Sequence, residues 1–468
     1  MQTADNVISM KDKTFIPWVI VLLCFLIGTV WYFVPHPLVV IALSLMPLAI
    51  LFTLRFPVPI GLMFIVFSFF RLHEALPMLY SLRIPLMLSL ATISTLSWHL
   101  FISQKIRIYY RPEMIAFLVF FILVFIGIVF AGNRPEAISY FKSTFVKIGI
   151  MTPVLAWLLC EVNHFKLTLI MVICGGLVVG FVTMFNKLSG IGLVEETRVT
   201  VGRELGSVLG DPNDLALVLL FPFSFAISVL MTKGLSVKFR LLGFIATSTL
   251  FSAIMATQSR GGLLGILAVV GIVAFRRVKS KILFFVAGGI ATLLLFVMAG
   301  ISGRKSGGAA EEGLDESAMG RLHAWEAAFG MAVDNPITGV GINNFYFNYY
   351  FYSKYWDGLN HAVHSTWFGV LAETGFIGLF AFLTMVIITF KTANTTLKKV
   401  TAHNPSRHGR AFSPVILAIS EGNLAGVAAF CVSGTFLTQG FTWPLYILIA
   451  LTAAVAQFVE HKGKNYDD

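Results

Sequence analysis

The sequence predicts an all-α polytopic membrane protein, and three observations carry that reading. First, 57% of residues are apolar and 12% are charged, whereas soluble domains carry about 25% charged residues. Second, apolar runs long enough to cross a bilayer recur along the whole chain, about fourteen of them. Third, lysine and arginine gather in alternate connections between those runs, as the positive-inside rule requires of a chain that crosses repeatedly. No stretch alternates with period two over about ten residues, which leaves helices rather than a barrel.

Taken in order, the runs lie near 15–34, 38–54, 57–71, 84–102, 113–131, 142–160, 166–185, 213–232, 239–257, 261–276, 281–301, 362–390, 412–434 and 441–459. Pro57–Arg71 and Gly261–Arg276 are short and are expected to be tilted or half-buried. With the N-terminus inside, the cytoplasmic connections hold Arg55, then Lys105 to Arg111, Lys166, Lys233 to Arg240, Arg276 to Lys281, and Lys398 to Arg410. That distribution places both termini in the cytoplasm. No small-residue cleavage site follows the first apolar run, so no cleavable signal is expected. Two long connections fall outside, Asn186–Pro212 and Ser302–Asn360. The chain divides into N-terminal helices over 1–185, central helices with the first outer loop over 186–301, a large outer loop over 302–361, and C-terminal helices over 362–468.

Composition also excludes function classes. The net charge of +11 is spread over short loops between apolar runs, so it does not mark a nucleic-acid surface. Cytoplasmic connections reach roughly twenty residues, too short for a folded domain of about 50 or more. There is no P-loop and no Rossmann fingerprint, which argues against nucleotide chemistry on the inside. Cys24, Cys160, Cys174 and Cys431 sit in or beside apolar runs without metal spacing, and read as small core residues. No metal and no cofactor is expected. The halves show no repeat, which weighs against an inverted-repeat transporter.

The polar residues that carry chemistry concentrate on the outer connections. Arg260 stands in TQSRGG (Thr257–Gly262), at a tight turn between two spans. Taken alone it is a snorkelling arginine. Positive charge on the outer side runs against the topology rule, and the two following glycines permit close backbone approach, so an anion site is the alternative. Arg321 opens RLHAWEAAFGMAV, where Leu322, Trp325, Phe329 and Ala332 recur at helical spacing and predict a helix on the membrane surface, ended by Asp334-Asn335-Pro336. Paired in space with Arg260 it would make a fork for phosphate oxygens. The aromatic run FYFNYYFYSKYW (Phe345–Trp356) reads mainly as an interfacial belt, with stacking on sugar rings as the other reading.

His364 lies at the outer mouth of a span, with His361 one turn earlier. A lone interfacial histidine is usually structural, but histidine is also the commonest general base near neutrality. Glu373 lies about two and a half turns deeper. It is expected to face another helix, because a carboxylate at that depth is costly unless paired. Lys142 and Lys147 raise the same question. In the first outer loop, RELGSVLGDPNDLA (Arg203–Ala216) leads into a span, and Asp211 and Asn213 suit a turn and N-cap, with a secondary role in shaping a cavity.

Together, the DPNDLA entry to a helix, the SRGG turn, GRLHAWEAAF, NPITGVGINNF, and a histidine before LAETGFIGL resemble the bacterial O-antigen ligase and polymerase superfamily over about Arg203 to Gly378. The N-terminal 180 residues add only compatible hydropathy. The resemblance implies a GT-C-like, multi-helix glycosyltransferase of the bacterial inner membrane with its active site periplasmic. Such an enzyme takes a glycan from an undecaprenyl-pyrophosphate carrier and places it on lipid A-core (ligase) or on another lipid-linked glycan (polymerase). It also implies His364 as general base on the acceptor hydroxyl, and Arg260 and Arg321 as ligands of the donor pyrophosphate. His361, Arg203, Asp211, Asn213 and Glu373 are secondary candidates. Many relatives read His-Asn where this chain reads His364-Ser365, and the choice between His361 and His364 stays open. No close acidic pair appears in the loop motifs, so a single displacement with inversion is expected. A lipid-linked oligosaccharide transporter is the rival reading, and a scaffold without chemistry is a weaker one.

Overall fold

A computed structural model of the protein describes residues 15–33, 37–75, 82–298, 316–402 and 412–467. The chain divides into two units, Met1–Pro57 and Val58–Asp468. The first holds α1 (Phe15–Phe33) packed on α2 (Pro37–Arg55). After α3 (Pro57–Phe69), the second continues through α4 (Leu72–Ala75), α5 (Ile84–Ser97), α6 (Pro112–Val129), α7 (Arg134–Tyr140), α8 (Val146–Leu158) and α9 (Val162–Ser189). It then runs through α10 (Pro212–Met231), α11 (Val237–Ala256), α12 (Arg260–Phe275), α13 (Lys281–Met298), α14 (Glu316–Asp334) and α15 (Phe345–Tyr352). It closes with α16 (Thr366–Ala402), α17 (Pro414–Ser433) and α18 (Trp443–Asp467).

Each predicted apolar run coincides with a helix. Among the described residues, eight helices, or at most nine, are long and apolar enough to cross a membrane. The chain is an all-α polytopic membrane protein. Short helices account for part of the gap to fourteen: α3 and α8 have 13 residues each and α12 has 16, about 20–24 Å at 1.5 Å per residue, against a hydrocarbon core of about 30 Å. α8 gains length from α7 and the π-helical turn Phe141–Phe145 that joins them. The predicted loop 302–361 is described only from Glu316 onward.

The centre of the larger unit is α10, α17 and α18. α10 is buried on every side and packs on α9, α11, α12 and α17, as expected of a helix that is apolar all round. Small residues let these helices approach: a Cβ at Gly422 would lie 2.6 Å from the Phe225 ring. At one end of the bundle Arg277 makes two bonds to the buried Glu421, of 2.6 and 2.8 Å, and Arg111 joins Glu113 and Glu460 at 2.9 Å each.

The other end is built around a break in α16. Gly375 has φ 69 and ψ −172, outside helical geometry. The segment after α14 enters this break as an extra strand of backbone. Val340 N donates to Ala372 O at 2.8 Å, Gly341 N to Glu373 O at 3.2 Å, and Phe376 N to Pro336 O at 2.8 Å. Polar backbone freed in a membrane helix must find new partners, and Pro336–Gly341 supplies them. The NPITGVGINNF and LAETGFIGL motifs are therefore two halves of one structural unit.

α14 ends at Asp334, as predicted. Its docked face is alanine-rich: Ala324, Ala327, Ala328, Met331 and Ala332 are buried, and the helix packs on α16. The predicted stripe is split, because Trp325 and Ala332 pack inward while Leu322 and Phe329 stay exposed. In α15, Phe345 and Tyr349 are buried, and Tyr346, Tyr350 and Phe351 are exposed.

Candidate functional site

The end of the bundle that carries the α16 break also gathers the candidate residues. The loop before α10 is pinned by Arg198, which is 4% exposed. It lies on a two-residue antiparallel hairpin in which Leu193 pairs with Val199 and Val194 with Arg198. Its Nε donates to Thr257 O at 3.1 Å and its Nη2 to Asn213 Oδ1 at 2.9 Å. Ser259 Oγ donates to the same Asn213 oxygen at 2.9 Å and accepts from Gly262 N, capping α12. Asp211 caps α10, with Oδ1 accepting from Asn213 N at 2.7 Å and Asp214 N at 3.3 Å. One asparagine oxygen thus fixes the starts of α10 and α12 to each other, and Arg260 is the first residue of α12.

Phe436, in the connection between α17 and α18, touches both the start of α12 and Arg321. A Cβ at Gly261 would lie 3.6 Å from Phe436 Cβ. The Arg321 guanidinium carbon sits 5.9 Å from the Phe436 ring centroid, within cation–π range. The same connection is tied to the start of α16. Thr366 Oγ1 donates to Leu437 O at 2.7 Å, Gln439 N donates to Thr366 Oγ1 at 3.1 Å, and Gln439 Nε2 donates to Asp214 Oδ1 at 2.6 Å.

His364 stands two residues before α16, half-buried, with φ 45. A non-glycine residue held in the left-handed region stores backbone strain, which the surroundings must overcome. They do so on both sides: Trp325 Nε1 donates to Val363 O at 3.1 Å, and Ser365 and Thr366 are fully buried. Burial lowers the His364 pKa, the positive charge of Arg321 lowers it further, Asp211 opposes this, and His361 adds a small lowering. The imidazole is therefore neutral near neutrality, with a lone pair available to accept a proton.

The two histidines differ in setting. His361 Nε2 is held by both oxygens of Asp357, at 2.9 and 3.0 Å, and its ring meets Tyr349 edge-on at 5.5 Å. It is a surface group held by Asp357, whereas His364 is more deeply set and feels the charges of Arg321 and Asp211. Arg203 is exposed and reaches only Gly210 O, at 3.5 Å, within its own loop. Glu373 faces a helix end rather than a helix side: its Oε1 accepts from Phe345 N at 3.2 Å, and the N–H groups of Asn343 and Asn344 bond to the same carboxyl. It caps α15 and stabilises the docked segment.

His364 thus feels the charges of Arg321 and Asp211, Asn213 ties the start of α10 to the start of α12, and Arg203 and Glu373 bond elsewhere. Sequence reasoning missed Arg198, Phe436 and Gln439. Arg198 carried the same signal as Arg260, a positive charge on an outer connection. Phe436 and Gln439 lie in a short connector without a motif. Among the described residues, no group of three or more His, Cys, Asp or Glu is arranged to hold a metal ion.

Residues 245–383 match the family model described as O-Antigen ligase. No curated protein matches the chain. The matched segment is less than a third of the chain, yet it runs from within α11 to within α16 and includes Arg260, Arg321, the docked segment and His364. Through it, the chain resembles the O-antigen ligase and polymerase superfamily.

Proposed function

We propose that this protein is a membrane glycosyltransferase that moves a glycan from an undecaprenyl-pyrophosphate-linked donor to an acceptor hydroxyl at the periplasmic face of a bacterial inner membrane. In the reaction, neutral His364 takes the proton of the acceptor hydroxyl. The oxygen attacks the anomeric carbon of the donor sugar as the bond from that carbon to the pyrophosphate oxygen breaks. Arg260, at the start of α12, and Arg321, against Phe436, stabilise the charge that develops on the leaving diphosphate. The proton on His364 passes to water or to the departing diphosphate. One displacement inverts the anomeric centre.

The observation that carries this reading is the placement of His364: a strained, half-buried imidazole at the start of α16, kept neutral first by burial and then by the charge of Arg321. The gathering of basic residues at the opposite ends of the helices supports a periplasmic site with both termini cytoplasmic. His364→Ala is expected to lower transfer from a synthetic undecaprenyl-pyrophosphate glycan in detergent by about 10²–10⁴-fold. Undiminished transfer by that variant removes the general-base role. A ladder of lengthening lipid-linked products identifies a polymerase, and a single transfer to lipid A-core identifies a ligase.

A further inference from the structure

A second cavity of about 310 Å³ lies in the larger unit, lined by none of His364, Arg260 and Arg321. Its floor is apolar, with Phe64, Phe69 and Trp443. Its polar wall carries Arg71, His73, Ser143, Thr144, Lys147 and Gln439. The volume is at the small end of the roughly 300–1,000 Å³ of small-molecule pockets, enough for a headgroup but not for a long glycan.

Three features point to an anion. Lys147 is exposed, and among the described residues no carboxylate lies within ion-pair distance of it. An ionised lysine in a membrane bundle is costly unless a partner meets it. The one lining carboxylate is already engaged: Glu74 takes Arg71 Nη1 at 2.6 Å and the Ser207 hydroxyl, leaving the cavity positive. The helix carrying Ser143 and Thr144 is locally π-helical over Phe141–Phe145, a deviation frequent at functional sites. The cavity is also open along an edge formed by exposed Leu86, Ser143 and Lys147, on α5 and on the α7–α8 segment. On α5 that edge continues into exposed Leu90, one turn on from Leu86.

We infer that this cavity binds the phosphate-bearing headgroup of an amphiphile, held by Lys147 and Arg71, with its apolar chain lying along the open edge between α5 and α8. The cavity shares Gln439 with the candidate site, where that residue bonds Thr366 and Asp214, and its occupancy is readable without transfer. The test is native mass spectrometry of the full-length detergent-solubilised protein with three probes: dioleoyl phosphatidic acid, dioleoylglycerol and glycerol phosphate. The intact protein retains phosphatidic acid in preference to the other two. Lys147→Gln and Arg71→Gln each weaken that binding about tenfold or more, as expected for a lost charge-assisted contact. Lys147→Arg keeps it, and Lys142→Gln, at a residue that does not line the cavity, leaves it unchanged. Equal binding by intact protein and both glutamine variants overturns the inference. So does equal binding of dioleoylglycerol, which removes the anion, or of glycerol phosphate, which removes the amphiphile.

Discussion

Asn213 gives the most direct test of how the site is assembled. Its Oδ1 accepts one charged bond from Arg198 Nη2 and one neutral bond from Ser259 Oγ, each 2.9 Å long. Asn213→Ala removes both acceptor contacts and leaves a guanidinium that is 4% exposed short of a partner. Hydrogen bonds to charged groups contribute about 1.5–3 kcal/mol and neutral ones about 0.5–1.5 kcal/mol, so the substitution costs about 2–4 kcal/mol. Because the lost contacts fix the start of α12, the Arg260 guanidinium loses its position too. Asn213→Asp keeps an acceptor oxygen in place and gives Arg198 an opposite charge. The measurement is the midpoint of thermal unfolding in detergent, with glycan transfer assayed alongside. The alanine variant is expected to lose both stability and transfer, and the aspartate variant to keep its midpoint. An alanine variant as stable as the unmodified protein refutes the bracing role. So does an Arg198→Ala, Asn213→Ala double variant whose losses simply add, because contacting partners must couple.

Other predictions follow the same reasoning. The His364 pKa is lowered, so transfer should rise with pH along an acidic limb that lies below the ordinary imidazole value of about 6.5 and then level off; a limb above that value contradicts the assignment. For stability the sign is the same: the unfolded state binds the proton more readily, so the contribution of neutral His364 is present above about pH 6.5 and lost as pH falls toward the lowered value. Arg321→Gln removes a charge that holds that pKa down, and histidine-labelled NMR should show His364 titrating at higher pH than in the unmodified protein. Gly375→Ala places a Cβ 2.6 Å from Pro336 O at φ 69, costing at least about 1–2 kcal/mol for the left-handed backbone alone; a thermal midpoint unchanged by it speaks against the break in α16. Arg277→Ala strands Glu421, whose side chain is 3% exposed, and should cost about 3–5 kcal/mol. Most of that loss should return in the Arg277→Ala, Glu421→Leu double variant, read by the same thermal assay.

Hydropathy and charge were enough to find the helices, because the period and length of an apolar run are properties of the run itself. The end of α14 at Asp334 and the capped start at Asp211 were legible for the same reason: caps are local. The break at Gly375 was not. LAETGFIGL reads as continuous helix, since isolated glycines are tolerated there, and the backbone that fills the break comes from Pro336–Gly341, more than thirty residues earlier. Glu373 was expected against another helix on the ground of cost, and the partner proved to be the N–H groups at the start of α15. The convergence of Arg321 with His364 needed Phe436 and Gln439, which carry no sequence signal because their role depends only on which helices are neighbours.

The splice of Pro336–Gly341 into α16 has a mechanical consequence. A segment that completes the hydrogen bonding of a bilayer helix cannot be lifted away without leaving bare amide groups in oil. The cap made of α14 and α15 is thereby stapled to α16 on both sides of Gly375, through Ala372 and Glu373 before the break and Phe376 after it, so the break is splinted and is not free to act as a hinge.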